Sequence, residues 1–280
     1  MNALELKNLQ KSYGDFTLGP LDLTLSSGCV MGLIGENGAG KSTTIKLILD
    51  MLHPDAGSVQ ILRQDNRANP RNLKEDVGVV LDEVGLSQCL TPRQVGKMMG
   101  GMFRRWDDAV YREYLRRFSL PEDKRFKEFS RGMKMKLGIA VALSHHPKLL
   151  LLDEATSGLD PVIRDEIVDL FGEFTREEDH AVLISSHIVS DLEKICDYIA
   201  FLHRGKLLLC EEKDRLKERY GVLHCTRDTL DALDPAAVLG KRESPYGVEA
   251  IVERDLVPAG WELGSVDLEQ LFIVMAKGEM

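Results

Sequence analysis

Along the first 28 positions, Leu4 and Leu6, then Leu21, Leu23 and Leu25, alternate with polar residues. A period of two is what a half-buried strand requires, and Gly14 and Gly19-Pro20 punctuate the run, so it predicts antiparallel β structure. The pattern then changes. Cys29 to Ile34 is apolar or small at every position, as in a strand buried on both faces. After a glycine-rich interval, Ile45, Ile48, Leu49 and Leu52 fall at i, i+3, i+4 and i+7 and predict one face of a helix. The Pro54 to Gly57 turn leads into a strand over residues 57–62, and Val77 to Leu81 predicts a short apolar strand.

From about 91 to 145 the reading is helical. Thr91-Pro92 starts the first helix, Met98, Met99, Met102 and Phe103 supply its apolar positions, and Leu120-Pro121 marks a break. A second α/β stretch follows. Leu149 to Leu152 predicts a strand, and Ile163, Ile167, Leu170, Phe171 and Phe174 one face of a helix. Ala181 to Ser186 and Tyr198 to Leu202 predict two more strands, the latter turning at Arg204-Gly205. Strands alternating with helices imply a mostly parallel core sheet, with the helical block as an inserted lobe. Beyond about Leu216 the character shifts again. Val222–Cys225, Gly247–Val252 and Leu263–Val266 are short strand candidates separated by Pro235, Pro245 and Pro258, and a helical run over Leu268–Ala276 closes the chain.

Composition changes this picture little. Hydrophobic residues at 44% and charged residues at 29% are ordinary for a soluble globular chain of 280 residues. A net charge of −9 argues against a nucleic-acid partner. The charge is uneven, because residues 93–136 carry 13 Lys/Arg against 6 Asp/Glu. That basic block reads as a solvated helical face or as a surface for a partner or anionic lipid. No apolar run is long enough to span a bilayer, and the first residues lack the charged-then-apolar order of a signal segment. The five cysteines are scattered, without metal-ligand spacing, as expected of free thiols in a reducing cytosol.

Candidate chemistry centres on Gly35-Glu36-Asn37-Gly38-Ala39-Gly40-Lys41-Ser42, which fits G-x-x-x-x-G-K-[ST] between a predicted strand and a predicted helix. Glycines there let backbone N–H groups curl around phosphates, and the helix N-terminus adds its positive dipole end. Lys41 can reach the β- and γ-phosphates, and the Ser42 hydroxyl can ligate Mg²⁺. A second candidate is the apolar strand ending in Asp153-Glu154. Ligands bind beyond the carboxyl ends of such strands, so Asp153 suits Mg²⁺ and Glu154 suits the polarisation of a water. Three further features are weaker alone. Ser157-Gly158-Leu159-Asp160 reads as a simple turn, Phe129-Ser130-Arg131-Gly132-Met133 as a capped helix start that can also take an anion, and His187, at a strand end, as structural or phosphate-contacting.

In this order, from about Met1 to Cys210, these pieces resemble the ATP-binding subunit of bacterial ABC (ATP-binding cassette) transporters. The resemblance implies a P-loop cassette with a mostly parallel core sheet, an N-terminal antiparallel β subdomain, a helical lobe over about 88–147 within a domain of residues 1–215, and a small C-terminal α+β appendage over 216–280. It implies ATP and Mg²⁺ as ligands. Tyr13 would stack on adenine, and Gly35, Asn37, Gly38, Ala39, Gly40, Lys41, Ser42 and Thr43 would hold the phosphates. Ser42, Asp82 and Asp153 would serve the metal. Glu154 would be the catalytic carboxylate and His187 the sensor of the γ-phosphate. Ser130, Gly132 and Asp160 would act across a head-to-tail dimer, completing the partner's site.

Two positions depart from the family pattern. Leu81-Asp82-Glu83 stands where a glutamine is usual, which makes Asp82 the substitute, and Met133 stands where the signature helix start usually has glutamine. Both variants resemble an antibiotic-efflux-type branch. The expected partners are an integral-membrane permease and a second ATPase subunit, this chain or a paralogue, on the inner face of the cell membrane. Trp106 is either a docking contact in the helical lobe or ordinary core packing. A soluble, non-transport ABC-type ATPase of translation or repair is the alternative, although such proteins usually carry two cassettes, long coiled coils or zinc sites. A kinase reading leaves the signature helix, the Asp160 turn and His187 unexplained.

Overall fold

The computed structural model describes all residues except 69, 246, 279 and 280. Its N-terminal half carries β1 (Asn2–Tyr13), β2 (Phe16–Ser26), β3 (Val30–Ile34), α1 (Lys41–Ile48), β4 (Ala56–Ile61), β5 (Gln64–Asp65), α2 (Pro70–Glu75), β6 (Val77–Val80), α3 (Pro92–Gly100), α4 (Asp108–Arg117) and α5 (Arg131–Leu143). Then come β7 (Leu149–Asp153), α6 (Pro161–Phe174), β8 (Ala181–Ser186), α7 (Val189–Ile195), β9 (Tyr198–His203) and β10 (Lys206–Glu212). The C-terminal segment adds α8 (Lys213–Arg219), β11 (Tyr220–Cys225), α9 (Arg227–Asp231), β12 (Val238–Ser244), β13 (Gly247–Glu253), β14 (Gly264–Ser265) and α10 (Leu268–Gly278).

Three sheets result, with strand orders β2-β1-β4-β5, β10-β9-β3-β8-β7-β6 and β12-β13-β11-β14. In the central sheet β9, β3, β8, β7 and β6 run parallel, and only β10 is antiparallel. Its five parallel strands are buried at nearly every position because both faces are covered. Leu150 and Leu152 of β7 join one hydrophobic core, with α5, α6 and α7, whereas Leu149 and Leu151 join a second core shared with β1 and β2. The same alternation holds in β3, where Val30 and Ile34 face the helices while Met31 and Leu33 face the antiparallel sheet. The continuous apolar runs in the sequence are thus two interleaved period-two patterns feeding two cores.

The helical block divides into α3, α4 and α5. Thr91 caps α3 reciprocally with Gln94, and Asp107 caps α4 by accepting from the N–H groups of Ala109 and Val110. Trp106 resolves toward packing. Its ring centroid lies 5.0 Å from that of Tyr111, and its Nε1 donates to Asp108 Oδ1 at 2.8 Å.

The C-terminal segment is joined to the cassette by a shared core rather than by an isolating linker. Leu216, Tyr220, Val222, Ile251, Val266, Leu268 and Leu271 belong to the same core as α5–α7, and Phe272 of α10 meets Phe201 of β9 at 5.2 Å between centroids. The other face of the third sheet closes a small core of its own around Leu223, Leu230, Leu233, Val248, Ala250 and Val252.

Candidate nucleotide site

Strand order decides which residues meet. Because β3 lies beside β8, and β8 beside β7, the carboxyl ends of three strands form one ledge. The loop Gly35–Gly40 leaves β3, Asp153 and Glu154 leave β7, and His187 follows β8. Parallel register aligns Ile34 with Ser186 and Asp153 with Ser185. Residues more than a hundred positions apart in sequence thereby share one edge, where ligands bind in open α/β sheets.

The loop uses its glycines in distinct ways. Gly38 and Gly40 take positive φ of 84° and 112°, a region costly for any side chain. A Cβ on Gly35 would lie 2.4 Å from the Leu202 carbonyl oxygen, whereas one on Gly38 would meet nothing within 4 Å. The rim of the loop at Gly38 therefore faces open space, as a phosphate cradle requires. Gly40 precedes α1 without a side-chain cap, leaving the first N–H groups of the helix to other acceptors. The β1–β2 hairpin flanks this loop. Phe16 approaches to 3.3 Å of where a Gly40 Cβ would stand, and Tyr13, paired with Phe16 across the hairpin, is exposed.

Lys41 is 5% exposed and turns back onto its own loop. Its Nζ donates to the Gly35 carbonyl at 2.7 Å and to the Glu36 carbonyl at 3.3 Å, and it lies 3.0 Å from Glu154 Oε1. The last contact is an ion pair without hydrogen-bond angles, so Glu154 Oε1 is buried and, among the described residues, without a hydrogen bond. Glu154 Oε2 meets His187 Nδ1 at 2.7 Å, the ring nitrogen donating. Glu154 has φ of 53°, an unfavourable value for a residue with a Cβ, of order 1 kcal/mol or more. Its N–H donates to both the backbone oxygen and the Oγ of Ser185, which holds that turn. Ser185 Oγ in turn donates to Asp153 Oδ1 at 2.7 Å.

Ser130, Gly132 and Asp160 lie elsewhere. Ser130 caps α5 by accepting from the Met133 N–H, and Asp160 caps α6 by accepting from the Ile163 N–H. A Cβ on Gly132 would stand 3.2 Å from Ile163, so these two helix starts adjoin. Among the described residues no hydrogen bond or ion pair links Ser130, Gly132 or Asp160 to the loop Gly35–Ser42. Asp82 belongs to this second group. It is exposed and paired with Arg131 at 2.8 Å, so its partner in the free chain is the signature helix and not the ledge that carries Asp153. With Glu83, Val84, Arg131 and Lys134 it borders a groove of about 700 Å³.

The ABC transporter family model matches residues 18–157, from β2 through the Asp153-Glu154 turn. The chain belongs to the ABC transporter family. Among its relatives is the ABC transporter ATP-binding protein YtrB of Bacillus subtilis, 29% identical over 99% of each chain. The lantibiotic transport ATP-binding protein SrtF of Streptococcus pyogenes is 37% identical over 75% of this chain and 91% of its own. A solved ATP-binding subunit of an ABC transporter superposes with a TM-score of 0.71 at 28% identity, covering 77% of this chain and 92% of that one. The cassette is therefore an ABC ATPase subunit that binds and hydrolyses ATP to energise transport through a separate membrane component. Among the described residues no helix is long and apolar enough to cross a membrane. The YtrB alignment, spanning nearly the whole chain, extends the likeness through β11–α10.

Two features escaped the sequence reading. His203, which pairs with Glu36 in the phosphate loop, gave no signal because 167 positions separate the two. The Asp82–Arg131 pair spans 49 positions and was equally invisible.

Proposed function

We propose that this subunit drives an exporter, and that two cassettes close head to tail on ATP at the inner face of the membrane. The observation that carries the reading is the convergence of Lys41, Glu154 and His187 on one ledge, while among the described residues Ser130, Gly132 and Asp160 make no hydrogen bond or ion pair with it. A γ-phosphate on this ledge is contacted from one side only, and the second half-site suits the opposite side in a partner cassette. The lantibiotic transport role in the name of SrtF supports export of a peptide-antibiotic class of cargo.

Each residue has a definite task in this mechanism. Lys41 exchanges the Gly35 carbonyl and Glu154 for β- and γ-phosphate oxygens, while loop N–H groups and the α1 N-terminus take the remaining charge. Glu154, released from Lys41, orients and polarises the attacking water. His187 holds Glu154 through Nδ1 and turns its other ring nitrogen to the γ-phosphate. Tyr13 stacks on the adenine ring from the hairpin beside the loop. Ser42 and Asp153 offer the oxygen donors a hard cation prefers, and Ser185 fixes the Asp153 carboxylate. A Mg²⁺ held by these donors would supply positive charge to offset the negative charge of the phosphates. Residues 1–215 form the motor, with 88–147 as the lobe that meets the permease, and residues 216–280 form an accessory unit built onto it.

The test is capture with the Glu154→Gln protein and Mg-ATP from detergent-solubilised native membranes, read by mass spectrometry. Recovery of a multi-span membrane protein whose presence stimulates the ATPase of the unmodified subunit is expected. Recovery of ribosomal or repair proteins alone overturns the transport reading in favour of a soluble ABC-type ATPase.

A further inference from the structure

One buried titratable side chain beside the phosphate loop has no part in those steps. His203, the last residue of β9, is 8% exposed. Its Nδ1 lies 2.8 Å from Oε1 and 2.9 Å from Oε2 of Glu36, and its Nε2 is buried without a hydrogen-bond partner among the described residues. Glu36 follows Gly35 in the loop, and its backbone carbonyl is one of the acceptors that hold Lys41. The neighbours of His203 grip the same loop. The Leu202 carbonyl oxygen crowds Gly35, as described above, and the Gly205 N–H donates to the Ala39 carbonyl at 2.9 Å. The end of β9 and its turn therefore touch the loop near its start, at Glu36 and near its close.

A carboxylate in a loop that must receive a triphosphate poses a problem. Like charges about 4 Å apart repel by about 1 kcal/mol in water, and by several times more at a protein surface. Burial raises the pKa of Glu36, but the His203 bond and backbone N–H groups outweigh it, so the group titrates below the usual carboxylate value and stays charged. Its charge must be directed away from the phosphates.

We propose that His203 is a positioning residue for ATP binding, which ties the Glu36 carboxylate to the outer side of the loop and keeps Gly35–Lys41 in the path that receives phosphate. Removing His203 frees a negative side chain at the mouth of the site and releases the loop from the path that receives phosphate. Removing the Glu36 charge as well takes away the reason for the tie. This inference rests on the reading that the loop binds ATP.

The experiment measures ATP dissociation constants, KM and kcat for His203→Ala, His203→Gln, Glu36→Gln and the double variant His203→Ala/Glu36→Gln, with Lys41→Ala as control. His203→Ala is expected to weaken ATP binding about tenfold, which corresponds to about 1.4 kcal/mol, with kcat at saturating ATP within about twofold of the parent. His203→Gln, whose amide can donate to Glu36, stays within about threefold. The double variant regains most of the lost affinity. A purely structural histidine predicts instead that the double variant binds as weakly as His203→Ala, and that result overturns the proposal, as does unchanged affinity in His203→Ala. Should His203→Ala fail to fold, His203→Leu, which fills the space without a donor for Glu36, replaces it with the same expected loss and the same rescue. If Lys41→Ala binds ATP as tightly as the parent, the nucleotide reading of the loop fails, separately from the role of His203.

Discussion

Glu154→Gln is the sharpest perturbation of this site, because it changes charge and proton affinity while keeping shape. In the free chain Glu154 is shared between Lys41 at 3.0 Å and His187 at 2.7 Å, with its side chain 12% exposed. An amide cannot accept the proton of an attacking water. A positioned general base is worth about 10²–10⁴ in rate, so kcat should fall at least about 100-fold, about 2.7 kcal/mol of barrier. The effect on binding has the opposite sign. Lys41 must leave Glu154 to reach phosphate, and a charge pair at 3.0 Å attracts by about 5 kcal/mol at an effective dielectric of 20. Most of that attraction is offset by desolvation, so the variant should bind ATP as tightly as the parent or up to about tenfold more tightly. Phosphate release under saturating Mg-ATP gives kcat, and calorimetric titration with ATP gives the affinity. Turnover within about threefold of the parent refutes Glu154 as the base. Lost ATP affinity refutes the exchange of partners at Lys41.

Further outcomes follow from the same contacts. With Mg-ATP, Glu154→Gln should elute as a dimer in light-scattering chromatography. Adding Ser130→Glu, an anion where the partner's phosphate should dock, should leave it monomeric with ATP still bound, and a persistent dimer would remove Ser130 from the interface. Leu151→Ala deletes a fully buried side chain of β7 and should cost about 2–5 kcal/mol of stability in denaturant unfolding, without changing KM for ATP in the folded fraction. His145, stacked on Phe103 at 4.1 Å, has its pKa lowered from 6.5 chiefly by burial. The unfolded chain therefore binds the proton first, and stability should fall as pH drops below about 6.5. His145→Phe should flatten that acid limb in a melting series, and an unchanged slope would show that other groups govern it.

How much of this could be read from sequence depends on whether the signal is local. The strands β3, β7 and β8 were legible because burial on both faces leaves unbroken apolar runs, and the loop after β3 carries its own motif. Where burial is partial, the pattern fails. β10 alternates neither cleanly nor completely, with six of its seven residues half-buried, and β12, with its run Lys241-Arg242-Glu243, reads as a solvated loop until its pairing with β13 is seen. The Leu263–Val266 candidate shrinks to the two-residue β14. The C-terminal appendage was legible as a change of pattern, but its shared core with α5–α7, through Tyr220, Val222 and Leu271, was not. Only tertiary pairing fixes which face of an isolated short strand is buried. Asp82 illustrates the same limit at the site: the resemblance implies a metal ligand there, while its pairing with Arg131 in the free chain carries no local signal.

The free chain already satisfies much of its nucleotide-site charge internally. Lys41 is held by Gly35 and Glu154, Glu154 by His187, Asp153 by Ser185, and Asp82 by Arg131. Binding at such a site is an exchange of partners, so its net free energy is a small difference between large terms. Two consequences distinguish this from a preformed empty socket. Substitutions that weaken the internal partner of Lys41 should tighten ATP binding, while substitutions that weaken Lys41 itself should abolish it. The opening of Arg131 from Asp82 also becomes coupled to whatever docks at α5, because the same guanidinium lies within about 3 Å of where a Gly158 side chain would begin. Arg131 thus touches both the Asp82 loop and the turn leading to Asp160.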